Sequence, residues 1–257
     1  MDGKTFWKKL SEIKEQLPRK NTFVVVGTGE TAAAVIVALL PILREERNAS
    51  ISVISRRGYL SSRGESYVEN AVFTGSPHVN WQNLPIESRR EFILRTDRSV
   101  FSVGAMQQIG AAQGRQLDIV MGDVRGYRYT PQTREWSVEY RDSLTKTIKT
   151  ARSAYVIDTR SFNTYGFLDW MDDRSRMALL EVAQRSPGRQ PKSNDQNILQ
   201  WLEKNLEFCI DRDLSVSGLT PKLHLPMLSA IQQGPGLPNL SCLGSLADRI
   251  LRPYVPI

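Results

Sequence analysis

A glycine-rich turn near the N-terminus has the residue types and spacing of a phosphate-binding loop. The segment Gly27-Thr28-Gly29-Glu30-Thr31-Ala32 fits the pattern G-x-G-x-x-G/A, with alanine in the last position. Gly27 permits a tight turn, Gly29 lets a pyrophosphate approach the backbone, and Ala32 lets a helix pack close to a strand. Free N–H groups at the start of the helix then bind the phosphates. The turn predicts a dinucleotide site, and the alternative is a tight strand-to-helix turn without a ligand.

The segments on either side of the turn must position it. Thr22 to Val26 is an apolar strand, a helix begins at about Glu30, and Ser50 to Ser55 forms a second strand. A strand, a helix and a strand in this order form a βαβ unit, which implies a parallel sheet.

The end of the second strand indicates which dinucleotide the turn would bind. NAD-type sites place an Asp or Glu there for the ribose 2′-hydroxyl. In this chain Ser55 is followed by Arg56 and Arg57. Guanidinium groups suit a 2′-phosphate, so the pattern favours NADP(H) over NAD(H). The alternative is a pair of surface arginines without a ligand.

Further along the chain, the pattern becomes mixed. Residues 56–85 are loop-like, and two helical segments follow, one from Ile86 to about Leu94 and one that ends at Gly114. A strand beginning at Leu117 leads into an alternating segment with a turn near Pro131, which predicts an antiparallel hairpin.

These elements predict an α/β fold. We expect a Rossmann-like three-layer domain with a parallel central sheet and an antiparallel hairpin, followed by a partly helical C-terminal region. The predicted divisions are an N-terminal helix over residues 1–20, the NADP(H)-binding domain over 21–165, and the C-terminal region over 166–257.

The composition of the chain argues against several classes of protein. The chain has 257 residues, 40% of them hydrophobic, and a formal net charge of +7. Lys and Arg are scattered without interleaved aromatic residues, so we expect no nucleic-acid partner. There is no apolar run long enough to cross a membrane and no signal peptide, so we expect a cytoplasmic protein. Two cysteines, Cys209 and Cys242, and two histidines lack metal-ligand spacing, so no metal site is expected.

Four segments, taken together and in order, carry a resemblance to a known family. They read VVVGTGETAAA, SVISRRGYLSSRGESYVENAVF, LPIESRREFILRTDRSV and QGPGLPNLSCLGSLADRI. In these segments the chain resembles the flavin-dependent N-hydroxylating monooxygenases, which are the ornithine and lysine N-monooxygenases of siderophore biosynthesis. The resemblance implies that Gly27, Gly29, Glu30 and Thr31 form the NADPH phosphate turn and that Arg56 binds the 2′-phosphate.

The resemblance also implies a substrate site. Asn70 matches an asparagine that holds the amino-acid substrate, and Ser241 matches a serine near the substrate. Asp97 falls where the family usually has asparagine, and its negative charge would change which substrate group could lie there.

Two departures from the family affect the expected activity. The family begins with an FAD-binding glycine motif, which this chain does not contain, so FAD is not expected in this chain alone. The family's Ala-Thr-Gly after the last strand of the NADPH domain is Asp158-Thr159-Arg160 here. We expect the arginine to fill space that the family leaves open beside the cofactors.

The sequence leaves open whether the chain is an enzyme, and it assigns no catalytic residue. The favoured interpretation is an accessory or pseudoenzyme-like partner in siderophore or related secondary metabolism. The alternatives are the catalytic subunit of a split monooxygenase and a free-standing NADPH reductase. Because the segment LPMLSAIQQGPGLPNLSCL would leave apolar surface uncovered, we expect a homo-oligomer or a hetero-complex with a flavin-domain or biosynthetic partner.

Overall fold

The computed structural model describes most of the chain. The residues described are 1–16, 22–64, 66–74, 80–97, 100–112, 116–160, 164–185, 201–202, 205–238 and 242–255. Predictions that fall on the remaining residues, including the one for Ser241, lie outside the described part.

A six-stranded sheet forms the centre of the first half of the fold. Its strands are β1 (Thr22–Val26), β2 (Ser50–Ser55), β3 (Leu117–Thr130), β4 (Glu135–Asp142), β5 (Ile148–Ser153) and β6 (Tyr155–Asp158). The order across the sheet is β5-β4-β3-β2-β1-β6. Strands β3, β2, β1 and β6 are parallel neighbours, whereas β4 pairs antiparallel with both β3 and β5. The predicted parallel sheet with an antiparallel hairpin is confirmed, and β5 is a strand that the sequence pattern did not indicate.

Both faces of β1 are buried, as the apolar run predicts. Phe23 and Val25 belong to a core shared with the helices on one face, and Val24 and Val26 belong to a second core shared with the hairpin strands. The second core includes Val138 of β4, so the hairpin covers the face that the helices leave open. The three predicted layers are therefore helices, parallel sheet and hairpin.

Residues 201–202 are helical, and eight α-helices have defined bounds in the described part of the chain. They are α1 (Gly3–Gln16), α2 (Glu30–Glu45), α3 (Tyr67–Phe73), α4 (Ile86–Thr96), α5 (Val103–Gly110), α6 (Asp173–Arg185), α7 (Ala230–Gln233) and α8 (Leu243–Leu251). None of them is long and apolar enough to span a membrane.

The chain divides into two compact units, each built from two segments. Unit 1 contains 1–63 and 97–161, and unit 2 contains 64–96 and 162–257. This division differs from the contiguous one expected from sequence, because residues 64–96 pack with the C-terminal region and α1 packs on the sheet domain. Phe6 and Ile13 of α1 lie in the same core as β1 and α2, which explains why the N-terminal helix is not separate.

The loop predicted over residues 56–85 was partly wrong, because α3 lies within it. Ser66 caps α3: its side chain accepts a hydrogen bond from the Glu69 backbone, and the Glu69 carboxylate accepts one from the Ser66 backbone. This capping box is visible in the sequence as S-x-x-E, a pattern that could have indicated the start of α3.

The expectation of uncovered apolar surface in the segment LPMLSAIQQGPGLPNLSCL holds for two of its described residues, since Met227 is 46% and Leu243 is 54% exposed. Leu228, Ala230, Ile231 and Leu237 are all buried within unit 2. Further exposed apolar side chains follow the segment, at Leu251 of α8 and at Tyr254 and Val255 after it.

Candidate functional site

The turn after β1 has the backbone geometry of a phosphate-binding loop. Gly27 adopts φ +115°, a conformation that residues with a side chain rarely adopt. Its N–H donates to the Ile54 carbonyl at 3.1 Å, which keeps the turn attached to β2. A Cβ placed on Gly29 would meet no atom within 4 Å, so the space beside this residue is open. The first glycine therefore serves the turn itself, and the second leaves room beside the backbone.

Helix α2 begins directly at this open space. Gly29 is the N-cap residue, and no side chain caps the helix among the described residues. Ala32 is fully buried, whereas Glu30 and Thr31 are exposed. The uncapped N–H groups and the helix dipole make this end of α2 attractive to an anion.

The position of the turn in the sheet also favours ligand binding. β1 lies between β2, which follows it in the chain, and β6, which the chain reaches after the hairpin. The order of the strands therefore reverses at β1, and in open α/β sheets a ligand binds in the crevice at the carboxyl ends of the strands at such a switch point. Thr159, just after β6, closes the contact between the two strands, because its backbone N–H and its hydroxyl both donate to the Val26 carbonyl, at 2.9 and 2.7 Å.

Asp158, Arg160 and Tyr127 form a polar cluster at the end of β6. Arg160 binds the Asp158 carboxylate in a bidentate manner, through Nε at 3.1 Å and Nη2 at 2.9 Å. The Tyr127 hydroxyl, on β3, donates to Asp158 Oδ2 at 2.6 Å and accepts from Arg160 Nη2 at 2.9 Å. The arginine that stands where the family has glycine is thus paired with residues of its own unit.

The cluster sets the protonation of its members. Burial, reinforced by the hydrogen bond to Asp158, raises the pKa of Tyr127 above its ordinary value. Burial alone would raise the pKa of Asp158, but the hydrogen bonds from Arg160 and Tyr127 outweigh it and hold the pKa below its ordinary value. The phenol therefore remains protonated and the carboxylate ionised at neutral pH.

Arg56 and Arg57 directly follow β2, at the same edge of the sheet as the turn. Arg56 is exposed, Arg57 is half-buried, and neither forms an ion pair within the described residues. The Arg57 N–H donates to Ser55 Oγ at 3.2 Å, and Gly58, at φ +71°, completes the turn. Two cationic side chains are therefore available at the position where a 2′-phosphate would lie.

A third arginine, which the sequence did not assign, reaches the same turn. Nη2 of Arg63 lies 3.0 Å from Oε1 of Glu30, the first residue of α2. The Arg63 backbone N–H donates to the Phe101 carbonyl at 2.7 Å, and Phe101 is fully buried. The partners are 33 positions apart, so no local pattern could have indicated this pair.

The expected substrate residues fall in different parts of the fold. Asn70 is an exposed residue of α3 in unit 2, and its carbonyl accepts hydrogen bonds from Thr74. Asp97 is half-buried just after α4 and belongs to unit 1. Ser241 lies outside the described residues. A substrate site that joins the three remains a prediction.

A cavity of about 430 Å³ opens in unit 2 between the end of α3 and the start of α8. Phe73, Gly236, Cys242 and Arg249 are among the residues that line it. Cys242 Sγ donates to the Phe73 carbonyl at 3.3 Å, and burial followed by repulsion from Arg212 lowers the pKa of Arg249. Within the residues that the structure describes, no group of His, Cys, Asp and Glu could hold a metal ion.

Comparison with known proteins agrees with the resemblance that the sequence motifs indicate. Residues 4–112 match the family model of L-lysine 6-monooxygenase/L-ornithine 5-monooxygenase. The chain is 36% identical over 236 residues to the L-lysine N6-monooxygenase MbtG of Mycolicibacterium paratuberculosis, covering 88% of this chain and 48% of that protein. It is 32% identical to MbtG of Mycobacterium tuberculosis, with the same coverage of each chain. The chain spans about half the length of the curated relatives it matches.

Solved structures agree with the sequence comparison. The lysine monooxygenase NbtG from Nocardia farcinica, described for its NADPH domain conformation, aligns with a TM-score of 0.68 and 31% identity over 95% of this chain and 53% of its own. DfoA from Erwinia amylovora, a cadaverine monooxygenase bound to FAD, shares the fold with a TM-score of 0.65 at 13% identity, over 98% of this chain and 54% of its own. Over most of its length, the chain resembles the NADPH-domain and C-terminal part of the L-lysine and L-ornithine N-monooxygenases.

Proposed function

We propose that this chain binds NADP(H) and supplies the nicotinamide half of an N-hydroxylating monooxygenase system. The observation that carries the proposal is the open space beside Gly29, at the uncapped start of α2 and at the switch point between β1 and β6. A pyrophosphate fits such a space because backbone N–H groups can approach it closely. Arg56 and Arg57 supply positive charge for the 2′-phosphate.

NADP(H) and FAD differ in how well the residues of this chain suit them. The turn at Gly27–Gly29 suits one dinucleotide, and the sequence holds one segment with the pattern G-x-G-x-x-G/A. When bound, NADPH supplies a hydride and FAD accepts it. We therefore assign the NADP(H) site to this chain. We assign the FAD site to a flavin-binding segment that corresponds to the part of the relatives that this chain does not match.

Titration calorimetry tests the cofactor assignment. NADP⁺ should bind more tightly than NAD⁺ by about tenfold or more, because a charge-assisted contact to the 2′-phosphate contributes roughly 1.5–3 kcal/mol. Arg56→Ala should remove this preference. Arg44→Ala is the matched control, since it removes the same charge from the opposite end of α2, where Arg44 lies in the last turn. Absence of binding by either dinucleotide would leave the turn with a structural role only.

Two roles follow from NADP(H) binding, and mixing with a flavin partner separates them. As an accessory or pseudoenzyme-like protein, the chain binds NADP(H) without delivering hydride. As the catalytic half of a split monooxygenase, which the intact turn favours, it accelerates NADPH oxidation when a flavin-containing chain is added. Stopped-flow loss of NADPH absorbance distinguishes them, with Gly29→Ala as the binding-deficient control.

A free-standing NADPH reductase is the weaker alternative. Such an enzyme needs a proton donor or acceptor near the nicotinamide. The phenol hydroxyl beside the end of β6 belongs to Tyr127, whose pKa is raised and whose proton is engaged by Asp158. A phenol held in this way is a poor proton donor at neutral pH.

We further propose that α8 contacts the flavin-bearing part of the system. Leu243 and Leu251 lie two turns apart on α8 and are 54% and 53% exposed. Exposed apolar side chains of this kind often mark an interface. Light scattering should detect a complex with the flavin partner, and Leu243→Glu with Leu251→Glu should weaken it. Self-association without any partner would instead indicate a homo-oligomer.

A further inference from the structure

The phosphate turn carries an acidic residue where an anion is expected to bind. Glu30 is the first residue of α2 and is exposed, so its carboxylate lies at the end of the helix that attracts negative charge. A carboxylate there stabilises the helix but competes with a phosphate for the same positive potential. An unpaired Glu30 would therefore oppose the binding of a dinucleotide.

Arg63 resolves this conflict in the structure. Its Nη2 pairs with the Glu30 carboxylate at 3.0 Å, and its Nε is buried without a hydrogen-bond partner in the described part of the chain. The guanidinium thus neutralises one negative charge at the start of α2. Arg63 forms no other ion pair within those residues.

Hydrogen bonds hold the backbone around Arg63 in place. The Arg63 N–H donates to the Phe101 carbonyl at 2.7 Å, and the Phe101 N–H donates to the Ser61 carbonyl at 2.8 Å. These two bonds flank a bridge between Ser62 and Phe101, whose ring is fully buried. The fixed backbone places Arg63 where its guanidinium reaches Glu30 at the start of α2.

We propose that Arg63 is a positioning residue for the dinucleotide: it neutralises Glu30 and so makes the start of α2 able to bind a pyrophosphate. This inference rests on the proposed binding of NADP(H). Arg63 affects the binding of the pyrophosphate, which NAD(H) and NADP(H) share. Arg56 binds the 2′-phosphate, which only NADP(H) carries.

The ion pair itself contributes little to stability, which makes the role testable. Both side chains are partly exposed, 34% for Arg63 and 45% for Glu30, and such pairs add little to folding. An effect on affinity without a matching change in melting temperature therefore reports the proposed role and not a structural one.

The experiment is a double-mutant cycle on the whole chain, read by calorimetry with NADP⁺ and NAD⁺. Arg63→Gln should weaken both dinucleotides by about tenfold, which corresponds to about 1.4 kcal/mol. Glu30→Gln should bind both dinucleotides more tightly than the wild type, because it removes the opposing carboxylate and frees Arg63, and the double variant should regain the affinity that Arg63→Gln loses. The loss in Arg63→Gln should shrink in 0.5 M NaCl because salt screens charges.

Two controls keep the test specific. Arg125→Gln removes one positive charge from the same unit, where Arg125 pairs with Asp123 at 3.1 Å, and should leave affinity unchanged. Arg63→Lys keeps the charge and should stay within about threefold of the wild type, which decides the question if Arg63→Gln fails to fold.

The outcomes separate this inference from the proposed function. Wild-type chain that binds neither dinucleotide overturns both. Wild-type binding with an unchanged Arg63→Gln, or with a double variant as weak as Arg63→Gln, overturns the role of Arg63 alone. Recovery of affinity in the double variant supports it.

Discussion

Gly27 lies so close to Thr159 that a Cβ on the glycine would be 2.7 Å from the threonine Oγ1. The two residues follow β1 and β6, so this contact is where the two strand ends meet. Gly29, two positions later, has open space instead. Gly27 is therefore required for the fold of the turn, whereas Gly29 leaves the space in which a ligand would bind.

Gly27→Ala should destabilise the protein, whereas Gly29→Ala should not. Alanine at position 27 would adopt an unfavourable φ and contact Thr159, which costs about 1–3 kcal/mol. Alanine at position 29, where φ is −94°, should change stability by less than about 1 kcal/mol but place a methyl group where the pyrophosphate approaches. Urea unfolding and NADP⁺ calorimetry on both variants check this. Full NADP⁺ affinity in Gly29→Ala would contradict the proposed site.

Tyr127→Phe should remove a source of alkaline instability. Since the folded pKa of Tyr127 is raised, its contribution to stability is complete below pH of about 10 and is lost as the pH rises toward the folded value. At neutral pH the variant should lose about 0.5–1.5 kcal/mol, the typical net value of one hydrogen bond.

Tyr129→Phe is the matched control for Tyr127. Tyr129 lies on the same strand, is exposed, and packs against Trp136 at 5.1 Å between ring centroids. Thermal melts from pH 7 to 11 should show a shallower alkaline decline for Tyr127→Phe than for the wild type and the control. Parallel declines in all three proteins would show that Tyr127 does not hold its proton as described.

Arg89→Met should strongly destabilise unit 2. The Arg89 guanidinium is buried and donates to the carbonyls of Leu84, Ile231 and Gln82, at 2.9, 3.0 and 2.6 Å. Methionine fills a similar volume but leaves three carbonyls without these donors, at a cost of about 2–5 kcal/mol.

Arg90→Met provides the comparison for Arg89. Arg90 is about half exposed and pairs with Glu207 at 3.3 Å, so its loss should cost no more than about 1 kcal/mol. Urea denaturation followed by circular dichroism measures both variants. Equal midpoints would mean that the buried guanidinium contributes no more than a surface ion pair.

Asp213→Asn should reduce the loss of stability in acid. Burial opposes ionisation of Asp213, but hydrogen bonds from Lys222 and Ser215 outweigh it and lower the pKa to about 2. A depressed carboxyl pKa stabilises the fold above pH of about 4, and this contribution disappears as the pH falls toward 2. The variant should lose about 1.5–3 kcal/mol at pH 7.

The acid titration of Asp213→Asn needs a carboxylate control from the same unit. Asp169→Asn serves, because Asp169 is exposed. Unfolding free energies at pH 7, 4 and 2.5 should converge for the wild type and Asp213→Asn as the pH falls. A constant gap between the two would show that the carboxylate of Asp213 is not the source of the pH dependence.

Local patterns in the sequence determined the central architecture. The apolar run of β1, the glycines at 27 and 29 and the strand at 50–55 predict the βαβ unit, because apolar runs favour buried strands and glycines permit a tight turn without help from distant residues. Alternation around Pro131 predicted the hairpin for the same reason. The capping box at Ser66 and Glu69 was also readable, although the helix that it begins was taken for a loop.

Only the tertiary structure decided which distant side chains meet. The pairs Arg63 with Glu30, Tyr127 with Asp158 and Arg89 with Ile231 are each separated by more than 30 positions. The grouping of residues 64–96 with the C-terminal region likewise depends on which apolar surfaces pack together. The sequence shows that a charged side chain requires a partner of opposite charge or a hydrogen bond, and that an apolar side chain requires burial. Which residue becomes the partner depends on how the helices and strands pack together.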